Sequence, residues 1–301
     1  MVKNKLSILL LLLVLSLPAL GSVNRYVVFF KDKNGSAYSI DRPGEFLSGR
    51  ALQRRSNQNI DITDNDLPVS DGYLSALELL HEVNVYFPTK WMNGVLVEMD
   101  ESMVDDVLSL SFVRDVTYVA RGSKLNGLNI NGGRKSHKQK EAGAHASDIE
   151  SQAQNAFIGV DAMHSAGYRG DGILLAIFDS GYEFVEGSPY FSHIFSDNKV
   201  KGTKDFVKGS SNVFQYDSHG SKVLSCISAF NAGEYSGTAP EVDLALCVTE
   251  DITSEYMIEE YNWLFAAEYA DSLGVDIINS SVGYAYFDHD RMDYPYEDMD
   301  G

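Results

Sequence analysis

The sequence predicts two successive domains: an α+β domain built on a split βαβ repeat, and an α/β domain holding part of a parallel, doubly wound sheet. Three observations carry this. Between Arg25 and Arg121, β-rich and helix-periodic segments alternate as strand, helix, strand, strand, helix, strand. From Ile173 onward, apolar strand-like runs alternate with helical patterns, the order of a parallel sheet covered on both faces. Between the two regions, residues 121–140 hold six Lys or Arg and no acid, with Gly127, Gly132, Gly133 and Ser136 among them. That composition marks a linker.

At the N-terminus, Lys3 and Lys5 precede an apolar run from Leu6 to Leu17, then Pro18 and the small residues Ala19, Gly21 and Ser22. This is the pattern of a secretory signal over residues 1–21, cut after Gly21. The run is shorter than the ~20 apolar residues of a spanning helix, so no membrane attachment is expected after cleavage. The destination is secreted or cell-envelope, periplasmic or extracellular.

The first domain is expected over residues 22–121. Tyr26 to Phe30 is a strand, and residues 32–70 are inserted after it, with a helix at Glu45 to Arg55 whose basic residues suggest a solvated face. Tyr73 to Val83 has apolar residues at helical spacing, and Val85 to Phe87 and Trp91 to Met99 are strand-like. A helix at Glu101 to Leu110 opens on acids, as the positive end of a helix favours, and Val113 to Val119 closes the set. The arrangement is ferredoxin-like. The linker is assigned to residues 122–151, and it has two open readings, a processing site and an ordinary solvated hinge.

The second domain is expected over residues 152–301. Phe157 to Ala166 is a helix, residues 167–172 a turn, and Ile173 to Phe178 a strand ending at Asp179-Ser180-Gly181. Ser218 is placed to cap a helix from His219 to about Phe230, with Val223, Ile227 and Phe230 inward. Val242 to Val248 is a strand, Ser254 to Leu273 a long helix stopped by Gly274, and Val275 to Asn279 a further strand.

Acids outnumber bases 43 to 24, for a net charge of −19. Nucleic-acid partners are excluded on that balance, since phosphate binding needs clustered Lys and Arg. Only Cys226 and Cys247 are present, too few for a disulfide scaffold. One bridge and two unpaired small side chains both remain open. A nucleotide site is disfavoured because the glycines of residues 167–172 precede a strand, whereas a phosphate loop follows one.

Asp179 stands at a strand end and His219 at a helix start, the order required by a hydrolase that aligns an imidazole with a buried carboxylate. Ser281 and Gly283 follow an apolar strand, where extended backbone with small side chains can pair with a peptide laid alongside. Each feature alone also fits a turn or a strand end.

As an ordered set, these motifs resemble the N-terminal half of a subtilisin-like serine protease of the peptidase S8 family, from about Ala156 onward. Asp179-Ser-Gly stands for that family's Asp-Thr-Gly, and His219-Gly-Ser for its His-Gly-Thr. Gly237-Thr-Ala-Pro240 is similar to Gly-x-Ala-Pro, and Asn279-Ser-Ser-Val-Gly283 to Asn-x-Ser-x-Gly. The resemblance implies Asp179 and His219 as catalytic residues, and Ser281 and Gly283 as substrate-binding residues. It implies that the upstream domain is a propeptide acting as an intramolecular inhibitor, and that the partner is a protein or peptide substrate. No cofactor is evident. Structural calcium is common in the family, without an identifiable site here.

Two departures accompany it. Leu224-Ser225 stands where the family often has Ala-Gly, and neither the Gly-Thr-Ser of the nucleophile nor the Ala-Gly-Asn of the oxyanion residue occurs between Gly283 and Gly301. The expectation is therefore a secreted serine endopeptidase precursor present as an N-terminal fragment without nucleophile or oxyanion Asn, and itself inactive. The competing expectation is a non-catalytic binding or inhibitory protein on a truncated protease scaffold.

Overall fold

Residues 23–122 and 148–298 are described by the structure, a computed structural model. The expected signal segment and most of the expected linker lie outside these residues.

The first sheet is formed by β1 (Val23–Phe30), β2 (Asn84–Thr89), β3 (Gly94–Asp100) and β4 (Val113–Arg121), in the order β2-β3-β1-β4, with antiparallel neighbours throughout. Three helices belong to this region: α1 (Gly49–Gln58), α2 (Asp71–Glu78) and α3 (Val104–Leu108). Alternation along β1 divides its side chains between two cores. Tyr26, Val28 and Phe30 pack with Leu77 of α2 and Val107 of α3. Val27 and Phe29, on the opposite face, pack with Leu96 and Val119 against residues of the second sheet and its long helix. Thus β1 is buried on both faces, and the second region supplies the cover for one of them.

After α4 (Asp148–Phe157) and α5 (Val160–Ser165) comes a second sheet. Its strands are β5 (Leu174–Asp179), β6 (Val200–Asp205), β9 (Asp243–Val248) and β10 (Ile277–Ser280), all parallel, in the order β10-β5-β9-β6. A short α6 (Ser192–Ser196) and a two-stranded hairpin, β7 (Phe230–Asn231) with β8 (Tyr235–Ser236), lie among the crossovers. On β5, Leu175 and Ile177 face the core that includes Leu224 of α7 (His219–Ser228). Leu174, Ala176 and Phe178 face Phe265, Ala266 and Ala270 of α8 (Ile258–Leu273). Helices on both faces make this an α/β, doubly wound arrangement, as the sequence predicts.

Several boundaries differ from expectation. The helix expected at 73–83 ends at Glu78, since the chain turns through Glu82 at a φ of 70°. The helix expected at 157–166 covers only Val160–Ser165, and a separate helix, Asp148–Phe157, precedes it from within the expected linker, the two parted at Gly159 with a φ of 79°. The long helix starts at Ile258, four residues late, because Asp251 holds the chain in a turn by accepting from the Thr253 N–H at 3.1 Å. Ser218 occupies the cap position of α7, yet its side chain makes no capping bond. The buried face of that helix runs through Gly220, Ser221, Leu224 and Ser228, with Val223 and Ile227 only partly covered. Finally, the basic face of α1 is not solvated, for Arg55 is 6% exposed. It pairs with Asp66 of the same insertion and, across the domain boundary, with Asp271. Among the described residues, no helix is long and apolar enough to cross a membrane.

Candidate active site

Asp179 is the last residue of the inner strand β5 and is fully buried. Its register partner on β9 is Val248, and the Thr249 N–H that follows donates to the Asp179 carbonyl at 3.0 Å. The carboxylate is held locally, with the Ser180 N–H 2.7 Å and the Ser180 Oγ 3.2 Å from Oδ1. A buried carboxylate needs such partners, and these do not satisfy both of its oxygens.

His219 completes the site from the first position of α7. Its Nδ1 lies 2.8 Å from Oδ1 and 3.0 Å from Oδ2 of Asp179. The His219 side chain is 51% exposed and that of Asp179 only 1%. The pair therefore has a dry end at the carboxylate and a wet end at the ring. With Nδ1 engaged by an acceptor, the neutral ring carries its proton there and leaves Nε2 with a free lone pair.

The close approach of helix to strand explains the glycines beside both residues. A Cβ on Gly220 would sit 2.5 Å from the Gly181 carbonyl oxygen and 3.0 Å from the Asp179 Cβ. One on Gly181, whose φ is 144°, would collide with the Gln215 carbonyl oxygen. Backbone bonds then knit the two turns together, from Tyr182 N–H to the Val213 carbonyl and from Glu183 N–H to that of Asp217, each at 3.0 Å. Ser180 adds a contact between its Oγ and Asp217 Oδ2 at 3.1 Å.

Sequence reasoning missed Tyr182. Its ring is fully buried beneath the site, and the hydroxyl lies 2.6 Å from the Ile177 carbonyl oxygen and 3.2 Å from that of Cys247. Burial pushes its phenol well above the ordinary range. Also missed was a carboxyl cluster behind Thr249. Glu259 is 2% exposed and accepts from the Asp251 N–H at 3.1 Å. Burial, then the neighbouring Glu250, raise its pKa. Glu250 accepts from the hydroxyls of Thr249 and Tyr284, each at 2.7 Å. Tyr182 gave no local signal because its second partner, Cys247, is 65 residues away on β9, and Glu259 gave none because a carboxyl in the first turn of a helix reads as solvated until the burial of its face is known.

Ser281 and Gly283 lie beyond β10, whose last residue, Ser280, pairs in register with Phe178. That register puts Ser281 level with Asp179, across the edge of the sheet. Both residues are exposed, and a Cβ on Gly283 would meet nothing within 4 Å. Beside them is an open groove of about 270 Å³ lined by Glu260, Trp263, Ser280, Val282 and Tyr284. The Trp263 indole N–H donates to Ser280 Oγ at 2.9 Å and so fixes one wall.

Both cysteines are unpaired, Cys226 exposed on α7 and Cys247 buried on β9, where burial raises its thiol pKa. Among the described residues, no group of three or more His, Cys, Asp or Glu converges as metal ligands.

A parallel sheet whose strand ends hold a buried Asp on a half-exposed His, joined to a split βαβ domain, defines the class of fold and site. Comparison with known proteins supplies the relationship. Residues 25–141 match the peptidase S8 propeptide domain of Bacteroidota. Subtilisin E of Bacillus subtilis is 34% identical over 125 residues, which are 40% of this chain and 30% of that protein. Subtilisin of Bacillus pumilus is 34% identical over 125 residues, 40% of this chain and 41% of that protein. The chain thus spans well under half the length of these curated relatives. Among solved structures, the epidermin leader peptide processing serine protease of Staphylococcus aureus is 12% identical at a TM-score of 0.47, covering 87% of this chain and 49% of that one. Fervidolysin of Fervidobacterium pennivorans is 15% identical at a TM-score of 0.45, covering 94% and 38%. The chain thus carries a match to a peptidase S8 propeptide domain and a separate stretch similar to subtilisin.

Proposed function

We propose that the chain belongs to the precursor of a secreted subtilisin-like serine endopeptidase, with residues 1–21 as signal, 22–121 as propeptide, 122–151 as linker and 152–301 as the N-terminal half of the catalytic domain. The observation that carries this reading is the pairing of His219 Nδ1 with the buried Asp179 carboxylate at 2.8 Å.

In this reading Asp179 fixes the tautomer and stabilises the imidazolium that forms during the reaction, while Nε2 takes the proton of an attacking serine hydroxyl and returns it to the leaving amine. Ser281 and Gly283 form an extended wall that pairs with substrate backbone, and the groove beside Trp263 receives a substrate side chain. Ser281 is not the nucleophile, because it follows a strand at the edge of the sheet rather than opening a helix near Nε2. Neither a Gly-Thr-Ser nor an Ala-Gly-Asn segment occurs between Gly283 and Gly301, so the nucleophile and its oxyanion donor are assigned to none of those residues. The first domain remains docked as an inhibitor until the linker is cut.

Labelling by a fluorophosphonate probe tests this. The precursor that contains this sequence, freed of its first domain, should be labelled, and His219→Ala should abolish the labelling. Labelling that survives His219→Ala would overturn the proposal, and a complete product that never labels would favour a non-catalytic binding protein.

A further inference from the structure

We infer that α1, carried by the insertion after the first strand, is a salt-sensitive latch fixing the first domain to the carboxyl end of α8. The inference rests on the division into two domains and is independent of whether any peptide bond is cut.

The last carbonyls of a helix have no partner within it and carry the negative end of its dipole. At the end of α8, three successive carbonyls find donors on the insertion. The Ser272 carbonyl accepts from the Ser48 N–H at 2.9 Å, and the Leu273 carbonyl from the Ser48 hydroxyl at 2.9 Å. The Gly274 carbonyl accepts from Arg50 Nε at 3.0 Å. Ser48 is also the N-cap of α1, accepting from the Ala51 N–H at 3.0 Å. The positive start of α1 therefore abuts the negative end of α8. Gly274 makes this approach possible. It caps α8 in the left-handed region at a φ of 82°, and a Cβ there would sit 2.5 Å from the Ala51 nitrogen.

Charge reinforces the contact in one direction only, with cations from the first domain and carboxylates from the second. Asp271 receives Arg54 at 2.7 Å, Arg55 at 2.8 Å and Lys90 at 3.3 Å. Arg50 pairs with Asp276 and also donates to the Gly172 carbonyl at 2.8 Å. Arg55 is pre-set by Asp66 of the same insertion, at 2.8 and 3.2 Å. Burial alone would raise the Asp271 pKa, but the hydrogen bond from Arg55 and the charges of Lys90 and Arg55 outweigh it and hold the carboxyl below its ordinary range. Elsewhere the boundary is apolar, through Val27, Phe29 and Leu96 against α8, apart from Glu268, whose carboxylate takes the Thr89 hydroxyl and the Lys90 and Trp91 N–H groups, and salt does not weaken the apolar contacts. Ionic strength thus acts chiefly at α1, which supplies three of the four cations that reach Asp271 and Asp276.

The test uses the full chain with a recognition sequence for a site-specific protease placed between Gly122 and Asp148. After cutting, dissociation of the two pieces is timed at about 50 mM and about 500 mM salt, concentrations that bracket strong screening. Wild-type pieces should separate faster at high salt. Arg50→Gln with Arg54→Gln should raise the low-salt dissociation rate about tenfold or more and flatten the salt dependence. Asp271→Asn, on the other side of the contact, should do the same while leaving the first domain unaltered. That variant decides the matter if hydrogen exchange shows α1 unfolded in the arginine variant. Dissociation by Asp271→Asn at the wild-type rate and with the wild-type salt dependence would overturn the inference.

Discussion

One oxygen of Asp179 lies 2.8 Å and the other 3.0 Å from the same nitrogen of His219, Nδ1. Both carboxylate oxygens thus act on one tautomer of the ring. At a pH where the ring is neutral, ¹⁵N NMR of labelled histidine should find the His219 proton on Nδ1 and none on Nε2. Asp179→Asn should abolish that preference, because the amide can present its NH₂ to Nδ1 and drive the proton to Nε2. A wild-type ring protonated at Nε2 would contradict the geometry.

The Tyr182 hydroxyl bridges the carbonyls of two adjacent strands just below Asp179, at 2.6 Å from Ile177 and 3.2 Å from Cys247. Tyr182→Phe keeps the ring and removes the donor from a fully buried site. The expected loss is about 1–2 kcal/mol of unfolding free energy, measured by denaturant titration. No loss would mean that the carbonyls are satisfied by the sheet alone.

Glu259 gives a stability dependence on pH with a definite sign. Burial beside Glu250 raises its folded-state pKa from an ordinary 4.5. The folded state therefore holds its proton more tightly than the unfolded chain, so this stabilisation is present below pH 4.5 and declines as pH rises towards the folded-state pKa. Glu259→Gln keeps a neutral side chain at every pH. It should be more stable than wild type above neutrality, by about 1–2 kcal/mol, and the difference should shrink in acid. Thermal unfolding at several pH values checks this, and a difference that grows in acid would refute it.

Glu268 of α8 gathers three donors from the β2–β3 turn: Thr89 Oγ at 2.5 Å, the Lys90 N–H at 2.8 Å and the Trp91 N–H at 3.0 Å. Glu268→Ala leaves Thr89, itself fully buried, without its acceptor. The expected cost is about 2 kcal/mol or more. Hydrogen exchange at Lys90 and Trp91 should rise most, and unchanged exchange there would refute the assignment.

Local chemistry explains why some of this was legible in the sequence. Asp179 and His219 sit at an apolar strand end and a helix start, positions that periodicity and glycine placement reveal. The stop of α8 was legible for the same reason, as only a left-handed cap at Gly274 fits its end. Partners brought together by tertiary packing left no such trace. Arg55 and Asp271 are 216 positions apart and Thr89 and Glu268 are 179 apart. A basic helix face looks solvated until the acids opposite it are known, which is why α1 was misjudged. The start of α8 followed an Asx-type turn at Asp251, where the side chain competes with the helix for a backbone donor.

The central claim is that Asp179 and His219 act as one catalytic unit. Its most direct test is kcat/KM for peptide hydrolysis by the complete processed protein carrying Asp179→Asn, His219→Ala, or both. Residues that act as a unit are non-additive. His219→Ala should cost about 10⁴-fold or more, Asp179→Asn about 10⁴-fold, and the double variant no more than His219→Ala alone. Losses that multiply in the double variant, or a His219→Ala protein with near wild-type kcat/KM, would contradict the account.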